Sequence, residues 1–298
     1  MTAPQPPRGV VSWVRVAAIV GSVVLAGLLL MRAFQDRLIF FPQVSLDATP
    51  AALGLPFEEV VLTTSDGESI AAWFVPAERT PAATVLFLHG NAGNRGHRLH
   101  AVEGFTGEGF SIFMLDYRGY GGSSGSPSGP ALARDAGAAW DWLTRERGMD
   151  PARVVLYGES IGSVPALRLA RRLSGEGRPP GALVLEGAFT SGLEMGRRAF
   201  PFLPVSWLLS DPMDNLDAIR EVTVPTFFLH AVDDEVVPFA MGRRLHDASP
   251  AAFKAFREVQ GAGHNTLWMA DGRALFREIG DFLRNAVGAA PPPSEPAP

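Results

Sequence analysis

Five short apolar segments, each ending in glycine, aspartate or histidine, restrict the fold more than any other feature of this 298-residue chain. In chain order they read TVLFLHG, SIFMLDYRG, RVVLYGES, GALVLEGA and PTFFLHAV. Near-continuous apolar runs of this length are typical of parallel strands buried on both faces. The stretches between them show helical spacing, and in residues 131–147 the apolar positions fall on one helix face. Strands that alternate with helices predict a mostly parallel sheet with helices on both faces.

Three more segments complete an expected sheet of eight strands. Residues 57–64 and 69–75 flank a Ser-Asp-Gly turn and predict a hairpin, and residues 254–259 predict the last strand. Residues 271–286 predict a final amphipathic helix. In sheets of this kind ligands bind beyond the carboxyl ends of the strands, which is where the polar residues of the apolar segments fall.

The N-terminal part of the chain predicts a membrane span. Residues 16–31 read VAAIVGSVVLAGLLLM, and the apolar stretch extends back to Val10 with only Ser12 and Arg15 as polar interruptions. A helix rises about 1.5 Å per residue, so the longer stretch can cross a hydrocarbon core of about 30 Å. A cleaved signal peptide is the alternative, but the run ends in Leu-Met-Arg-Ala, which is a poor cleavage site. We therefore expect an uncleaved single-pass anchor.

Basic residues on the two sides of the span give a weak prediction of its orientation. Arg8, Arg15 and the amino terminus precede it, and Arg32 and Arg37 follow it. The positive-inside rule slightly favours a cytoplasmic amino terminus, with the α/β part of the chain on the non-cytoplasmic side.

Composition excludes several classes of function. The net charge of −5 and the lack of a basic stripe argue against a nucleic-acid partner. The chain has no cysteine, which excludes disulfides, thiolate metal sites and a cysteine nucleophile. His97 and His100 lie three residues apart, but no third metal ligand accompanies them, so we expect a polar helix face and no metal.

Residues 158–162, Gly-Glu-Ser-Ile-Gly, follow the strand RVVLY and open a helical stretch. This G-x-S-x-G pattern in a strand–turn–helix context is typical of a nucleophilic serine held on a sharp turn. The two glycines are needed because side chains there would clash with the helix or the next strand. A glycine-rich turn with a capping serine is the structural alternative. The context favours Ser160 as a nucleophile.

A second glycine-rich turn, residues 88–94 (LHGNAGN), follows the strand TVLFL. Backbone N–H groups at such a turn can face a cavity and hold a developing oxyanion. With the amide that follows the serine, this predicts an oxyanion hole formed by the backbones of Asn91 and Ile161. For the His89 side chain we expect only hydrogen bonds within the loop.

Two later loops carry candidates for an orienting acid and a base. Residues 230–238 (HAVDDEVVP) offer three carboxylates, of which we favour Asp234, with Asp233 second and Glu235 pointing away. His264 lies in a glycine-flanked loop after the last strand, where it can reach Ser160. A solvent-exposed acidic turn and a loop histidine are the alternatives. The order Ser160, Asp234, His264 is the chain order expected of a serine–histidine–acid site on an α/β sheet.

Five motifs together resemble the α/β-hydrolase superfamily: LHGNAGN, LDYRGYGGSSGSPS, YGESIGS, HAVDDEVVP and GAGHN. Within it the chain is most similar to membrane-anchored serine hydrolases that include depalmitoylase-like members, and the segment RLIFFPQ (37–43) is also typical of them. The resemblance covers residues 37–287 and implies the triad Ser160, Asp234 and His264, with Asn91 and Ile161 as oxyanion donors. Asp234 is chosen over Asp233 by the H-G-x-x-D spacing of the family's pattern, in which Ala231 here replaces the glycine. The cysteine-rich N-terminus of some depalmitoylases is missing.

The resemblance implies an α/β-hydrolase fold in three parts. We expect residues 1–36 to form a cytoplasmic tail and transmembrane anchor, 37–287 the catalytic domain, and 288–298 a disordered proline-rich tail. A short insertion, residues 188–216, either forms a small lid over an apolar acyl pocket or packs on the sheet edge. Both possibilities stay open at this stage.

The expected activity is hydrolysis of carboxylic esters or thioesters through an acyl-enzyme, without metal or organic cofactor. The expected substrate is a small-molecule or lipid-like acyl compound. A serine peptidase or amidase with the same triad is one alternative. A catalytically silent, membrane-tethered binding protein is the other.

Overall fold

The computed structural model of the chain describes residues 8–78 and 81–288. The first residues of the expected cytoplasmic tail, 1–7, lie outside these ranges. So do residues 289–298, which make up nearly all of the expected proline-rich tail.

The described ranges contain strands whose bounds match the apolar segments closely. In chain order they are β1 (Phe41–Pro42), β2 (Glu58–Thr63), β3 (Ser69–Val75), β4 (Thr84–Leu88), β5 (Ala92–Gly93), β6 (Ser111–Leu115), β7 (Val154–Glu159), β8 (Ala182–Glu186), β9 (Thr226–Ala231) and β10 (Lys254–Val259).

Eight of these strands form one sheet in the order β10-β9-β8-β7-β4-β6-β3-β2. Neighbours from β10 to β6 run parallel, whereas β3 lies antiparallel to β6 and pairs with β2 as the predicted hairpin. The prediction of a mostly parallel, eight-stranded sheet is confirmed. The short strands β1 and β5 form a separate parallel pair.

Helices alternate with the strands. They are α1 (Arg8–Ala33), α2 (Gln35–Ile39), α3 (Leu99–Gly107), α4 (Gly129–Asp141), α5 (Ser163–Gly175), α6 (Gly192–Ala199), α7 (Val205–Leu208), α8 (Asn215–Ile219), α9 (Phe239–Ala248) and α10 (Leu267–Val287). Short 3₁₀ turns occur at Pro50–Leu53, Arg95–Arg98, Pro151–Arg153 and Ser160–Gly162.

Alternate residues of the buried strands point to opposite faces of the sheet and build two cores. In β4, Leu86 and Leu88 join a cluster that includes the buried faces of α4, α5 and α9. Val85 and Phe87 of the same strand join a second cluster with α3 and α10. Both faces are therefore covered by helices, which explains why these strands are apolar at most positions on both faces.

Two predicted helices differ at their ends from the structure. The expected helix over 131–147 is α4 followed by a π-helical turn, Trp142–Glu146. The expected helix over 271–286 begins four residues earlier, at Leu267, and has a non-helical backbone at Asp271. The earlier turn forms because Leu267 is buried and the ring of Trp268 stacks on Phe276 at a centroid distance of 4.1 Å. These contacts depend on the folded chain and leave no periodicity in the sequence.

Helix α1 lies outside both cores. Its stretch Trp13–Ala33 has a mean hydropathy of 2.3 and is long and apolar enough to cross a membrane. None of this stretch is buried against the rest of the described chain. The chain then continues through α2 towards β1. Arg32 donates a hydrogen bond to the carbonyl of Trp207 in α7, and the N–H of Ser210 donates to Gln35 Oε1 at 2.8 Å. The end of α1 is thus in contact with the insertion between β8 and β9.

Candidate active site

Ser160 stands at the turn between β7 and α5 with a left-handed backbone, φ +51°. Among non-glycine residues of the described ranges only Met213 shares a positive φ. Such a conformation is strained for a residue with a side chain and persists only where the surrounding structure enforces it. It agrees with the sharp turn that the G-x-S-x-G pattern predicted at this serine.

The two glycines of the pattern have no room for a side chain. A Cβ at Gly158 would lie 2.7 Å from the Cα of Ser163, and one at Gly162 would lie 2.0 Å from the carbonyl oxygen of Leu88. The second contact also shows that the loop after β4 lies directly against the turn that carries Ser160. The expected reason for these glycines therefore holds at both positions.

His264 and Asp234 reach Ser160 from two other loops. Nε2 of His264 lies 3.0 Å from the Ser160 hydroxyl, and its Nδ1 lies 2.7 Å from Oδ2 of Asp234. The three residues follow β7, β9 and β10, whose carboxyl ends meet at one edge of the sheet. The structure therefore brings together the three side chains that the sequence singled out.

The other two carboxylates of the β9 loop do not contact the imidazole. Asp233 is exposed. Glu235, which was expected to point away, instead contacts the backbone of the base: its Oε2 accepts the N–H of His264 at 3.0 Å. Asp234 is fixed by the N–H groups of Val236 and Val237, which donate to its Oδ1 at 2.9 and 2.7 Å.

The local charges favour an ionised acid beside a basic histidine. Burial alone would raise the pKa of Asp234, but hydrogen bonds from His230 and His264 hold it well below its usual value. Burial alone would lower the pKa of His264, but the hydrogen bond to Asp234, with nearby negative charge including Glu186, raises it. An Asp–His pair of this kind can accept a proton from a hydroxyl and stabilise the resulting imidazolium.

Asn91 and Ile161, the expected oxyanion donors, lie on two turns that approach each other beside Ser160. Ile161 directly follows Ser160 in the 3₁₀ turn Ser160–Gly162, which leads into α5, and the amino-terminal end of a helix favours nearby negative charge. Asn91 lies in the loop after β4 that contacts Gly162. The side chain of Asn91, for which no role was predicted, donates from Nδ2 to the carbonyl of Ile39 at 2.5 Å.

An ion pair under the nucleophile turn was missed by the sequence reasoning. Glu159, which precedes the serine, accepts two hydrogen bonds from Arg98, each at 3.0 Å. Burial opposes ionisation of Glu159, but Arg98 outweighs it and lowers the pKa to about 2. A Cβ at Gly90 would lie 2.6 Å from Glu159 Oε1, so the pair also supports the loop after β4. Arg98 gave no signal because arginines are abundant throughout the chain.

A second buried carboxyl, Glu186 at the end of β8, was also missed. It accepts hydrogen bonds from the Tyr157 hydroxyl at 2.5 Å and from the Trp268 indole at 2.8 Å. Burial and the charge of Glu159 raise its pKa to about 7. The next residue, Gly187, has φ +53°, and a Cβ there would lie 3.0 Å from Cε1 of His264. The end of β8 therefore packs against the imidazole.

Two further histidines, His89 and His97, form hydrogen bonds within their own loops. His89 is fully buried, its Nδ1 lies 2.7 Å from the carbonyl of Gly90, and its ring packs against Tyr117, in agreement with the loop role expected for it. His97 lies in a 3₁₀ turn rather than on the expected helix face, where its ring bonds to Asn94 at 3.0 Å. Within the described ranges no three His, Cys, Asp or Glu side chains are grouped so as to hold a metal ion.

The insertion of residues 188–216 contains both buried and exposed apolar side chains. Val205 and Leu208 of α7 are buried, so part of the insertion packs on the domain. Phe200, Phe202 and Trp207 are 57%, 98% and 42% exposed. The insertion therefore combines a packed face with an exposed aromatic one, next to the end of α1.

Comparison with known proteins gives matches over most of the chain. The sequence model of a family described as serine aminopeptidase, S33, matches residues 79–218. An uncharacterized protein of Mycobacterium tuberculosis is 36% identical over 269 residues, covering 90% of this chain and 94% of that protein. The α/β hydrolase domain-containing protein WAV2 of Arabidopsis thaliana is 33% identical, covering 88% and 92%. The α/β hydrolase domain-containing protein 17B of Xenopus tropicalis is 37% identical, covering 68% and 67%.

Solved structures share the fold at low sequence identity. An esterase of Pyrococcus furiosus superposes with a TM-score of 0.70 at 21% identity, covering 84% of this chain and 98% of that one. An α/β hydrolase from Penicillium superposes with a TM-score of 0.64 at 16% identity, covering 78% and 100%. Identities this low speak for the fold alone.

Proposed function

Because the chain belongs to the α/β-hydrolase superfamily, and because Ser160, His264 and Asp234 are hydrogen-bonded in series, we propose that it is a serine hydrolase of carboxylic esters or thioesters. The 3.0 Å contact between Ser160 and His264 is the observation that carries the proposal. A structural serine on a helix cap would not need an imidazole at its hydroxyl, nor a strained backbone.

The mechanism follows from the order of these contacts. His264 Nε2 takes the Ser160 proton as the serine oxygen bonds to the substrate carbonyl carbon, and Asp234 stabilises the imidazolium. The imidazolium then gives the proton to the leaving alcohol or thiol as its bond to carbon breaks. Water attacks the acyl-enzyme with His264 again as the base, which releases the acid and restores Ser160.

The negative charge of the tetrahedral intermediate would be held by the backbone N–H groups of Ile161 and Asn91. Support comes from the position of the Ser160 turn directly before α5, and from the close approach of Gly162 to Leu88 and His89, which brings the turn with Ile161 next to the loop with Asn91. Donors that are fixed before the reaction need no reorganisation as charge develops. The loss of one such donor typically lowers kcat by about 100- to 1000-fold.

An aminopeptidase or amidase is the second candidate, and the family description of residues 79–218 favours it. An aminopeptidase must bind the ammonium group of its substrate, for which a free carboxylate beside the nucleophile is the usual partner. The carboxylates of Glu159 and Glu186 beside this site are engaged, since Glu159 is paired with Arg98 and Glu186 accepts from Tyr157 and Trp268, whereas Asp233 and Glu235 are exposed on the β9 loop. These contacts favour an ester or thioester over an amino-terminal peptide.

We also propose that α1 is a single-pass anchor, with residues 37–287 as the catalytic domain and the amino terminus on the cytoplasmic side. The unburied, apolar length of Trp13–Ala33 supports a span, and the arginines around it support this orientation. An anchored enzyme with exposed aromatic side chains beside its anchor is suited to lipid-like acyl substrates. This chemistry uses no organic cofactor or metal, and the net charge of −5 argues against a nucleic-acid partner.

A fluorophosphonate probe separates an enzyme from a silent binding protein. Wild type should be labelled and Ser160→Ala should not, and a chain that is never labelled would favour the binding protein. Ser163 is unsuitable as a control because it is buried and its hydroxyl donates to the Ser160 carbonyl. Ser65→Ala, on the exposed turn between β2 and β3, is the better matched control. Initial rates on p-nitrophenyl esters of increasing chain length, compared with aminoacyl amides, then separate esterase from amidase.

A further inference from the structure

The loop that carries Asn91 is joined to the chain directly after the anchor by a set of hydrogen bonds. Asn91 Nδ2 donates to the carbonyl of Ile39 at 2.5 Å, and the N–H of Phe41 donates to Asn91 Oδ1 at 3.3 Å. The parallel pair β1–β5 places Phe41 opposite Ala92, one residue further along. Both ends of the Asn91 amide group are therefore held by the segment 39–41.

The backbone on both sides of Asn91 is fixed as well. His89 Nδ1 contacts the carbonyl of Gly90 at 2.7 Å, and this carbonyl belongs to the same peptide plane as the Asn91 N–H. On the other side, the Tyr120 hydroxyl donates to the Asn91 carbonyl at 2.8 Å and lies 3.3 Å from Asn91 Oδ1. The loop contains glycines at 90 and 93, whose backbones are permissive, so these ties decide which way the Asn91 N–H points.

The same segment is continuous with the membrane-spanning helix. Ile39 is the last residue of α2, which begins two residues after the end of α1 at Ala33. Phe40, between the two residues that bond to Asn91, is buried in the core under α4 and α5. The segment is thus fastened to the domain at the point where it meets the loop.

We propose that the segment 39–41 and the side chain of Asn91 position the backbone N–H of Asn91 for oxyanion binding, so that the chain leaving the membrane is part of the support of the active site. This inference rests on the proposed function. It makes Asn91 a positioning residue through its side chain, in addition to the backbone N–H that would contact the oxyanion. The physical reason is that an oxyanion donor contributes fully only when its direction is fixed before charge develops.

The test is steady-state kinetics of full-length Asn91→Ala on a p-nitrophenyl ester. This variant keeps the backbone N–H of residue 91, which would contact the oxyanion. It loses both side-chain hydrogen bonds to the segment 39–41. We expect kcat to fall about 10- to 100-fold with KM within about twofold, because the fault lies in the transition state. The rate of fluorophosphonate labelling should fall in parallel, since the phosphonyl oxygen uses the same donors.

Asn94→Ala is the matched control. Asn94 Nδ2 also donates to the chain that follows α2, at the carbonyls of Gln43 (3.1 Å) and Ser45 (2.7 Å). It forms no hydrogen bond with Asn91. At a comparable loss of thermal stability, Asn94→Ala should retain a kcat at least about fivefold higher than Asn91→Ala. Equal losses of kcat at equal stability would mean general loosening of the loop and would overturn the inference.

Tyr120→Phe supplies an independent measurement. It removes the hydroxyl bonded to the Asn91 carbonyl from the other side. Both changes release the same backbone amide of Asn91. The fold-decrease in kcat of the double variant should therefore be smaller than the product of the two single fold-decreases. Losses that simply multiply, or an Asn91→Ala kcat within about twofold of wild type, would also overturn it. If wild type is not labelled at Ser160 by the probe, the proposed function itself fails, which is a different result from normal labelling of both wild type and Asn91→Ala.

Discussion

Oδ2 of Asp234 lies 2.7 Å from Nδ1 of His264 and 3.4 Å from Nε2 of His230, so one carboxylate oxygen faces two imidazoles. His230 is buried, and its Nε2 is also 3.0 Å from the carbonyl of Val237. The β9 loop is therefore closed on itself around Asp234, which aims this carboxylate at His264 and leaves its neighbour Asp233 in solvent.

We predict that Asp234→Asn lowers kcat about ten-thousandfold, because the amide cannot hold the correct tautomer of His264 or stabilise its charged form. Asp233→Asn should leave kcat within about twofold of wild type, since that side chain is exposed. Ester hydrolysis by the two purified variants at matched concentration is the measurement. Comparable activities would remove Asp234 from the proposed triad.

The pH dependence of kcat/KM should report the raised pKa of His264. The base must be neutral to act, so activity should rise with pH through a midpoint above the usual histidine value of about 6.5. Negative charge on Glu186 contributes to that raised pKa, and Glu186→Gln should therefore move the midpoint to lower pH. Profiles from about pH 5 to about pH 9 would show the shift.

Glu103→Gln, an exposed carboxyl on α3, is the control for this profile and should leave the midpoint in place. An unchanged midpoint in Glu186→Gln would show that Glu186 does not influence the base.

Because burial raises the pKa of Glu186 from 4.5 to about 7, the folded state also binds the proton more tightly than the unfolded chain. This carboxyl should therefore make wild type less stable as pH rises between these two values, a slope that Glu186→Gln removes.

The strained backbone of Ser160 should lower the free energy of unfolding of the active protein. Ser160→Gly should lose ester hydrolysis but increase the free energy of unfolding by about 1 kcal/mol, because glycine accepts φ +51° without strain. Ser160→Ala should lose activity without this gain, since alanine keeps a Cβ. Urea unfolding of the two inactive variants compares them directly. Equal stabilities would indicate that the turn carries no measurable strain.

The exposed aromatic face of the insertion should lie near the bilayer if α1 is an anchor. The chain has no cysteine, so Phe202→Cys offers a single site for an environment-sensitive fluorophore. In vesicles of phosphatidylcholine and phosphatidylglycerol, doxyl-labelled lipids should quench this fluorophore strongly, because α7 contacts the end of α1.

The label at Val61→Cys serves as the reference for that experiment. Val61 is 70% exposed on the edge strand β2, outside the insertion. Its fluorescence should be quenched much less than that of the label at 202. If the label at 202 is quenched as weakly as the label at 61, the insertion lies away from the membrane.

Much of the site could be predicted because its parts follow strands that are visible as apolar runs. The strands β4, β7, β9 and β10 were expected close to their observed bounds, and parallel strands end at one sheet edge. Glycine requirements at 158 and 162 were predicted from the pattern and agree with the contacts found there.

The pairs that surround the site could not be predicted. Glu159 meets Arg98 across 61 positions, Glu186 meets Trp268 across 82, and Asn91 meets Ile39 across 52. No periodicity or spacing links such partners, and in a chain whose basic residues are almost all arginine a single arginine gives no signal.

The sequence by itself determined the αβ order, the apolar N-terminal helix and the three side chains that end beside one another, because burial patterns and turn residues are local. Only the tertiary structure decided what surrounds those side chains: the buried carboxyl behind His264, and the segment after α1 that is bonded to the Asn91 loop. Those contacts join residues distant in the chain, and their energies depend on burial and direction, which exist only once the chain has folded.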